Sequence, residues 1–179
     1  MKTATIFRRL VAYLIDIMVV FLLLVSLLQL AVFVPLRHFV IGSEDWFRSG
    51  WHTEAYTWLT ISLPVWLYFI LFEISPWKAT PGKRLLRLQT VDVSSGGRIG
   101  FFRSLLRTAI KLLPWELAHF TNNIPIPMWY DPHPAFRIGF AVVPLLVLTY
   151  LLVARLTPHR QAPHDLAAGT VVIFQGNNS

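Results

Sequence analysis

Asp16 stands in a run from Leu10 to Leu36 that carries no other charge. An acid at the centre of a membrane helix costs about 2.5–3.5 kcal/mol unless it is paired or hydrated, so it requires a partner or a task. Two kinds of chemistry fit. A carboxylate in low dielectric can take a cation or a proton, or it can lock helices together through polar contacts worth about 0.6–2 kcal/mol. Arg9 lies on the same helical face, nearly two turns and about 10 Å earlier, with Tyr13 between the two. That span is long for a direct contact. Either Arg9 reaches Asp16 through Tyr13 and water, or each pairs with a group on another helix. Glu73 and Glu116, in or beside other apolar stretches, are additional acids that could join such a cluster.

A second pattern is basic. Arg103, Arg107 and Lys111 recur every fourth residue in FFRSLLRTAIKLLPWELAHF and form one helical stripe. Anionic lipid headgroups suit such a stripe, at about 1 kcal/mol per cation, as does a more specific site for an anionic lipid or substrate headgroup. Asp165 opens HDLAAGT, where it fits the cap or first turn of a short helix closed by Gly169 before Thr170, Val171, Val172 and Ile173. If this segment folds back beneath the bundle, Asp165 instead meets Arg9 or the TPGKR segment at 80–84.

Several activities are excluded. TPGKR lacks the first glycine and the Ser/Thr of a phosphate-binding loop, the histidines form no HExxH, and no serine sits in a GxSxG elbow. His159 and His164 read as loop residues, and the chain has no cysteine, so neither disulfides nor thiolate metal sites arise. The expectation is a non-enzyme with no catalytic residue, no metal and no cofactor.

These residues need elements to hold them. Of 179 residues 55% are hydrophobic and only 14% charged, more apolar side chain than a soluble domain of this size buries. About 20 apolar residues cross a bilayer as a helix, and clear spans lie at about 10–35, 55–75 and 135–154. Lys2, Arg8 and Arg9 resemble the start of a signal peptide, but the apolar run behind them is too long and reads as a retained anchor. Pro64 predicts a kink in the second span. Residues 111–126 form a fourth crossing, or else the basic helix lies in the interface. The positive-inside rule favours four crossings with both termini cytoplasmic. Only Arg37, Arg48 and Arg137 of the 16 basic residues are then outside, and the Pro-rich NNIPIPMWYDPHP is an external turn. The formal charge of +7 is thus a topology signal rather than a nucleic-acid footprint. LLRLQTVDV followed by SSGG predicts a small cytoplasmic β-hairpin. The reading is a single domain, 1–179: an all-α membrane protein, a four-crossing transmembrane helical bundle with a cytoplasmic amphipathic helix and that hairpin.

Three segments in order, RRLVAYLIDIMVV (8–20), TPGKRLLRLQTVD (80–92) with RSLLR (103–107), and HDLAAGTVVI (164–173), resemble the RDD family of bacterial integral membrane proteins. The family takes its name from one arginine and two aspartates. Arg9 and Asp16 match by the R-x-x-A-x-x-I-D spacing, and Asp165 is the choice for the second aspartate, with Asp92 the alternative. The chain departs from the pattern in its Pro-rich 121–134 segment and in PHRQAP before His164. The resemblance implies a small helical bundle in the bacterial cytoplasmic (inner) membrane, linked to transport and in some members to cation/proton exchange. On that footing Asp16 is the cation or proton site, Arg9 its electrostatic regulator and Asp165 a gate or anchor. Four short helices make a thin pathway, so a homo-oligomer or a larger membrane-protein partner is expected, in a bilayer with anionic lipids. The alternative is a non-catalytic accessory or scaffold subunit docking another membrane protein.

Overall fold

The computed structural model describes residues 3–40, 42 and 44–175; Lys2, counted above as a cytoplasmic cation, lies outside them. Helix α1 (Ile6–Phe39) begins where the Thr5 hydroxyl accepts the Arg8 N–H at 3.3 Å, one of the donors a helix start leaves unpaired. A 3-10 turn at Glu44–Arg48 precedes α2 (Gly50–Ile74). The short α3 (Pro81–Leu85) leads into β1 (Leu88–Asp92), and α4 (Phe101–Asn123), α5 (Gly139–Leu156), α6 (Pro163–Ala168) and β2 (Thr170–Phe174) follow.

Among the described residues three helices are long and apolar enough to cross a membrane: α1 with 34 residues, α2 with 25 and α5 with 18. Their outward faces carry Leu14, Leu22, Leu27, Leu71, Leu148 and other exposed apolar side chains, while Asp16, Glu73, Arg107 and Asp165 are buried. Polar residues inside and apolar residues outside is the distribution a lipid solvent imposes.

The basic stripe and the predicted 111–126 crossing are not separate pieces. One continuous helix, α4, contains most of both, and at 23 residues it is about 35 Å long. It lies antiparallel along the full length of α2. The Ser104 hydroxyl donates to the Ile70 carbonyl at 3.4 Å, Glu116 receives Ser62 and Trp66, and Asn123 donates to Glu54 at 2.8 Å. Its far end is held by Arg137, which donates to the carbonyls of Thr121, Asn122, Ile124 and Ile126.

Prolines interrupt α2 and α4, and each of these two interruptions is repaired from a neighbour. Pro64 cannot donate to the Thr60 carbonyl one turn back, and the backbone widens into π-type turns at Trp58–Ser62. Gln29 of α1 donates to that freed carbonyl at 3.4 Å and to the Thr60 hydroxyl oxygen at 2.9 Å. Pro114 likewise frees the carbonyl of Ile110, which accepts the Tyr150 hydroxyl of α5 at 2.5 Å.

The expected hairpin is corrected. β1 pairs antiparallel with β2, from Leu88 opposite Phe174 to Asp92 opposite Thr170. The SSGG segment does turn, but only onto itself. Asp92 Oδ1 accepts the N–H groups of Ser94 and Ser95, and the Asp92 N–H donates to the Gly97 carbonyl at 3.1 Å. The chain then enters α4 instead of returning as a strand. The β-branched stretch after Gly169 supplies the partner, and Ala4 joins the same layer by donating to the Val172 carbonyl at 3.0 Å. The described residues are therefore mostly helical, with one two-stranded sheet.

Candidate functional site

Asp16 is 1% exposed and fully engaged. Its Oδ1 accepts the Tyr68 hydroxyl at 2.8 Å and the Gly82 N–H at 2.7 Å, and its Oδ2 accepts the Thr80 hydroxyl at 2.5 Å. Thr80 is the cap residue of α3, Pro81 starts it, and Gly82 brings its backbone against α1. A Cβ at Gly82 would collide with the Ala12 carbonyl oxygen and lie 2.8 Å from Asp16 Oδ1. The glycine of TPGKR is therefore a close-approach residue, and Asp16 is the carboxylate that fastens α3 to α1. Arg9 and Asp16 do not meet; each pairs elsewhere.

Arg9 pairs with Asp165. It donates one guanidinium nitrogen to Asp165 Oδ2 and another to the Arg160 carbonyl. Asp165 occupies the first turn of α6, where its Oδ2 also accepts the Ala162 N–H at 3.0 Å and helix geometry favours an anion. Its Oδ1 receives Arg107 at 2.7 and 3.1 Å. Arg107, only 1% exposed, is the hub: it also donates to Glu73 Oε1 and to the Thr170 hydroxyl. Lys83 of α3 reaches the same Glu73 oxygen at 2.7 Å and the Thr90 hydroxyl at 2.8 Å. Glu73, fully buried, thus joins the cluster, while its Oε2 has no partner among the described residues.

The other candidates disperse. Glu116 is fixed by the Ser62 hydroxyl at 2.9 Å and Trp66 Nε1 at 2.8 Å, away from Asp16. Asp92 shapes the loop after β1 and pairs with Arg103. The expectation that Arg103, Arg107 and Lys111 face lipid headgroups is corrected for the last two. They point inward because buried acids await them, and the outward face at this end of α4 carries Phe101, Phe102 and Leu106. Lys83 was legible only as a cation of TPGKR, and Tyr68, Thr80 and Thr170 carried no signal of their own.

Charge regulation follows from burial. Burial pushes Asp165 upward, but the Arg107 and Arg9 guanidiniums outweigh it and hold the carboxyl well below its usual range. Burial also lowers His164 to about 3, against the pull of Asp165, so this ring is neutral at neutral pH. Lys83 is lowered by burial, with Glu73 opposing.

Above the network lies a cavity of about 350 Å³, within the size range of small-molecule sites. Leu10 and Tyr13 of α1 wall it on one side and Val147 and Leu151 of α5 on another, while Arg9, Lys83, Arg107 and Lys111 bring four cations to it. Asp16 and His164 line it as well. Among the described residues no group of His, Asp and Glu is arranged to hold a metal ion.

Apolar helices enclosing a buried arginine and carboxylate network define a helical membrane-type protein with an ionic centre. The chain belongs to the RDD family, whose model matches residues 3–169, nearly all of it. Neither the curated proteins nor the solved structures contain a match.

Proposed function

We propose that this chain is a transport-related protein of the bacterial cytoplasmic membrane, and that the arginine and carboxylate network with its cavity is the ligand-handling site. One observation carries the reading: Arg107 both lines the cavity and ties α2, α6 and β2 to α4. A ligand that draws on Arg107 competes with Glu73 and Asp165, so its binding is coupled to how the helices are held. Asp16, saturated by three donors, acts here as the fixed anchor of α3 rather than as the travelling ion's site.

The accompanying topology has four crossings, with α4 as the third and both termini cytoplasmic. Its support is the length of α4, its antiparallel register against α2, and the concentration of basic residues before α1 and from 78 to 111. The single-protomer pathway is thin, and a homo-oligomer or a larger membrane partner completes it.

The test is purified protein in liposomes carrying an entrapped pH dye, with Na⁺ or K⁺ gradients imposed. The expected result is a gradient-driven proton signal that Arg107→Gln abolishes while insertion is retained. No flux in the wild type, together with a stoichiometric partner recovered from mild detergent, would replace this reading by the accessory-subunit one.

A further inference from the structure

The network is uneven around the cavity. Four cations line it, and Arg9, Lys83 and Arg107 each hold a carboxylate or carbonyl oxygen by a hydrogen bond. Lys111 does not. Its side chain is only 9% exposed, its nearest carboxylate oxygen is Glu73 Oε1 at 3.9 Å, and its ammonium makes no hydrogen bond among the described residues, resting 3.2 Å from the centroid of the Phe69 ring. A buried lysine head group in contact with an aromatic face and no hydrogen-bond acceptor is an incomplete site for an anion, whose charge favours the protonated form of that head. The lone carboxylate in the lining, Asp16, already accepts three hydrogen bonds.

The cavity also has a mouth of defined character. Leu10 of α1 and Val147 of α5 line it and are at the same time 41% and 45% exposed on the apolar outer surface. The opening therefore faces the side of the bundle, where the hydrocarbon of the bilayer lies. Trp115, Val143 and Leu151 continue the apolar wall inward toward Lys111. A small soluble anion matches the ammonium but not this entrance, and a neutral hydrocarbon matches the entrance but not the ammonium.

We propose that the cavity takes an anionic amphiphile from the bilayer, its phosphate or carboxylate head against Lys111 and its acyl chain leaving between α1 and α5. This deepens the ligand-handling reading and rests on it for the ligand's purpose, though not for its binding. The lipid-facing role expected of the basic stripe is thereby kept for a single headgroup, drawn inward.

The experiment uses the full chain in nanodiscs and reads quenching of tryptophan by brominated acyl chains. Phosphatidylglycerol is compared with phosphatidylcholine, palmitate is the carboxylate arm, and inorganic phosphate is the soluble competitor. The wild type should show extra quenching by the anionic lipid that Trp115→Phe removes, that Lys111→Met weakens about five-fold, and that millimolar phosphate does not displace. Val147→Phe, which fills the mouth without adding a tryptophan and leaves every ionic contact intact, should abolish the same signal, and it covers the case in which Lys111→Met fails to fold. Equal quenching by both phospholipids, full retention in either variant, or displacement by phosphate would overturn the proposal. Retention of anionic lipid without ion flux would instead sink the transport reading and leave this site standing; flux without retention would do the reverse.

Discussion

Asp165 carries more of the structure than its position in a short loop helix indicated. It is the acid between two guanidiniums, so Asp165→Asn leaves Arg107 and Arg9 buried without a full counter-charge. Loss of one partner of a buried pair costs about 3–5 kcal/mol, and denaturant titration in mild detergent should register it. A double-mutant cycle with Arg9→Gln should give a coupling of about 0.5–3 kcal/mol. His164, held at about 3 in the fold against an ordinary 6.5, adds a pH dependence. Its folded pKa is depressed, so its contribution is complete above pH 6.5 and is lost as pH falls, because only the unfolded chain takes the proton. The slope approaches about 1.4 kcal/mol per pH unit between those limits. Thermal midpoints of His164→Gln should be flatter over pH 6.5 to 4.5 than those of the wild type. Sequence identified Asp16 and Arg9 as residues needing partners, but the partners, Tyr68, Thr80, Gly82 and Asp165, lie 52 or more positions away. Spacing within one helix has no access to such distances. The stripe of Arg103, Arg107 and Lys111 was visible for the same reason in reverse: a four-residue period fixes a shared face, and only tertiary packing decides whether it looks inward.

Helices and strands were legible where burial follows a simple period. The spans of α1, α2 and α5 were recovered within a few residues, and β1 was readable from LQTVD. Its partner was not, because a turn signal invites a local hairpin and cannot announce that Asp92 will close the loop on itself. The repaired prolines make separate predictions. Gln29→Leu strips the freed Thr60 carbonyl of its donor, and Tyr150→Phe does the same to Ile110. Each should lower stability by about 0.6–1.7 kcal/mol, and the two should add, since they lie on different helix pairs. Gly82→Ala should be worse, at about 1–3 kcal/mol of overpacking, since relief requires α3 to leave α1 and lengthens the Gly82 bond to Asp16. A thermal series in one detergent ranks all three.

The assembled chain is inverted relative to a soluble domain, with charges at its centre and leucines and phenylalanines outside. Composition announced that inversion before any residue was placed: 55% hydrophobic content exceeds what this length can hide. What composition could not supply was whether α4, with four charged residues along it, crosses or floats. Its charges are compatible with crossing because each has an internal acid, aromatic or hydroxyl neighbour. Reporters fused into the loop at 129–133 and after residue 160 should read opposite sides of the membrane, the latter cytoplasmic. A cytoplasmic loop with residue 160 on the outside would return α4 to the interface, since α5 crosses between the two reporters in either case.

The sheet and the Asp165 pair also bear on how the protein is made. Synthesis runs from the amino terminus, so α1, α2, α4 and α5 are all synthesised before Pro163–Phe174. Until that last stretch arrives, Arg9 and half of the bonds of Arg107 are without their acid, and β1 is an unpaired edge. A chain stopped after residue 160 should therefore insert yet be a substrate for membrane proteases, which a pulse-chase with the full chain would reveal. The ionic centre is thus sealed by residues made after the helices that surround it.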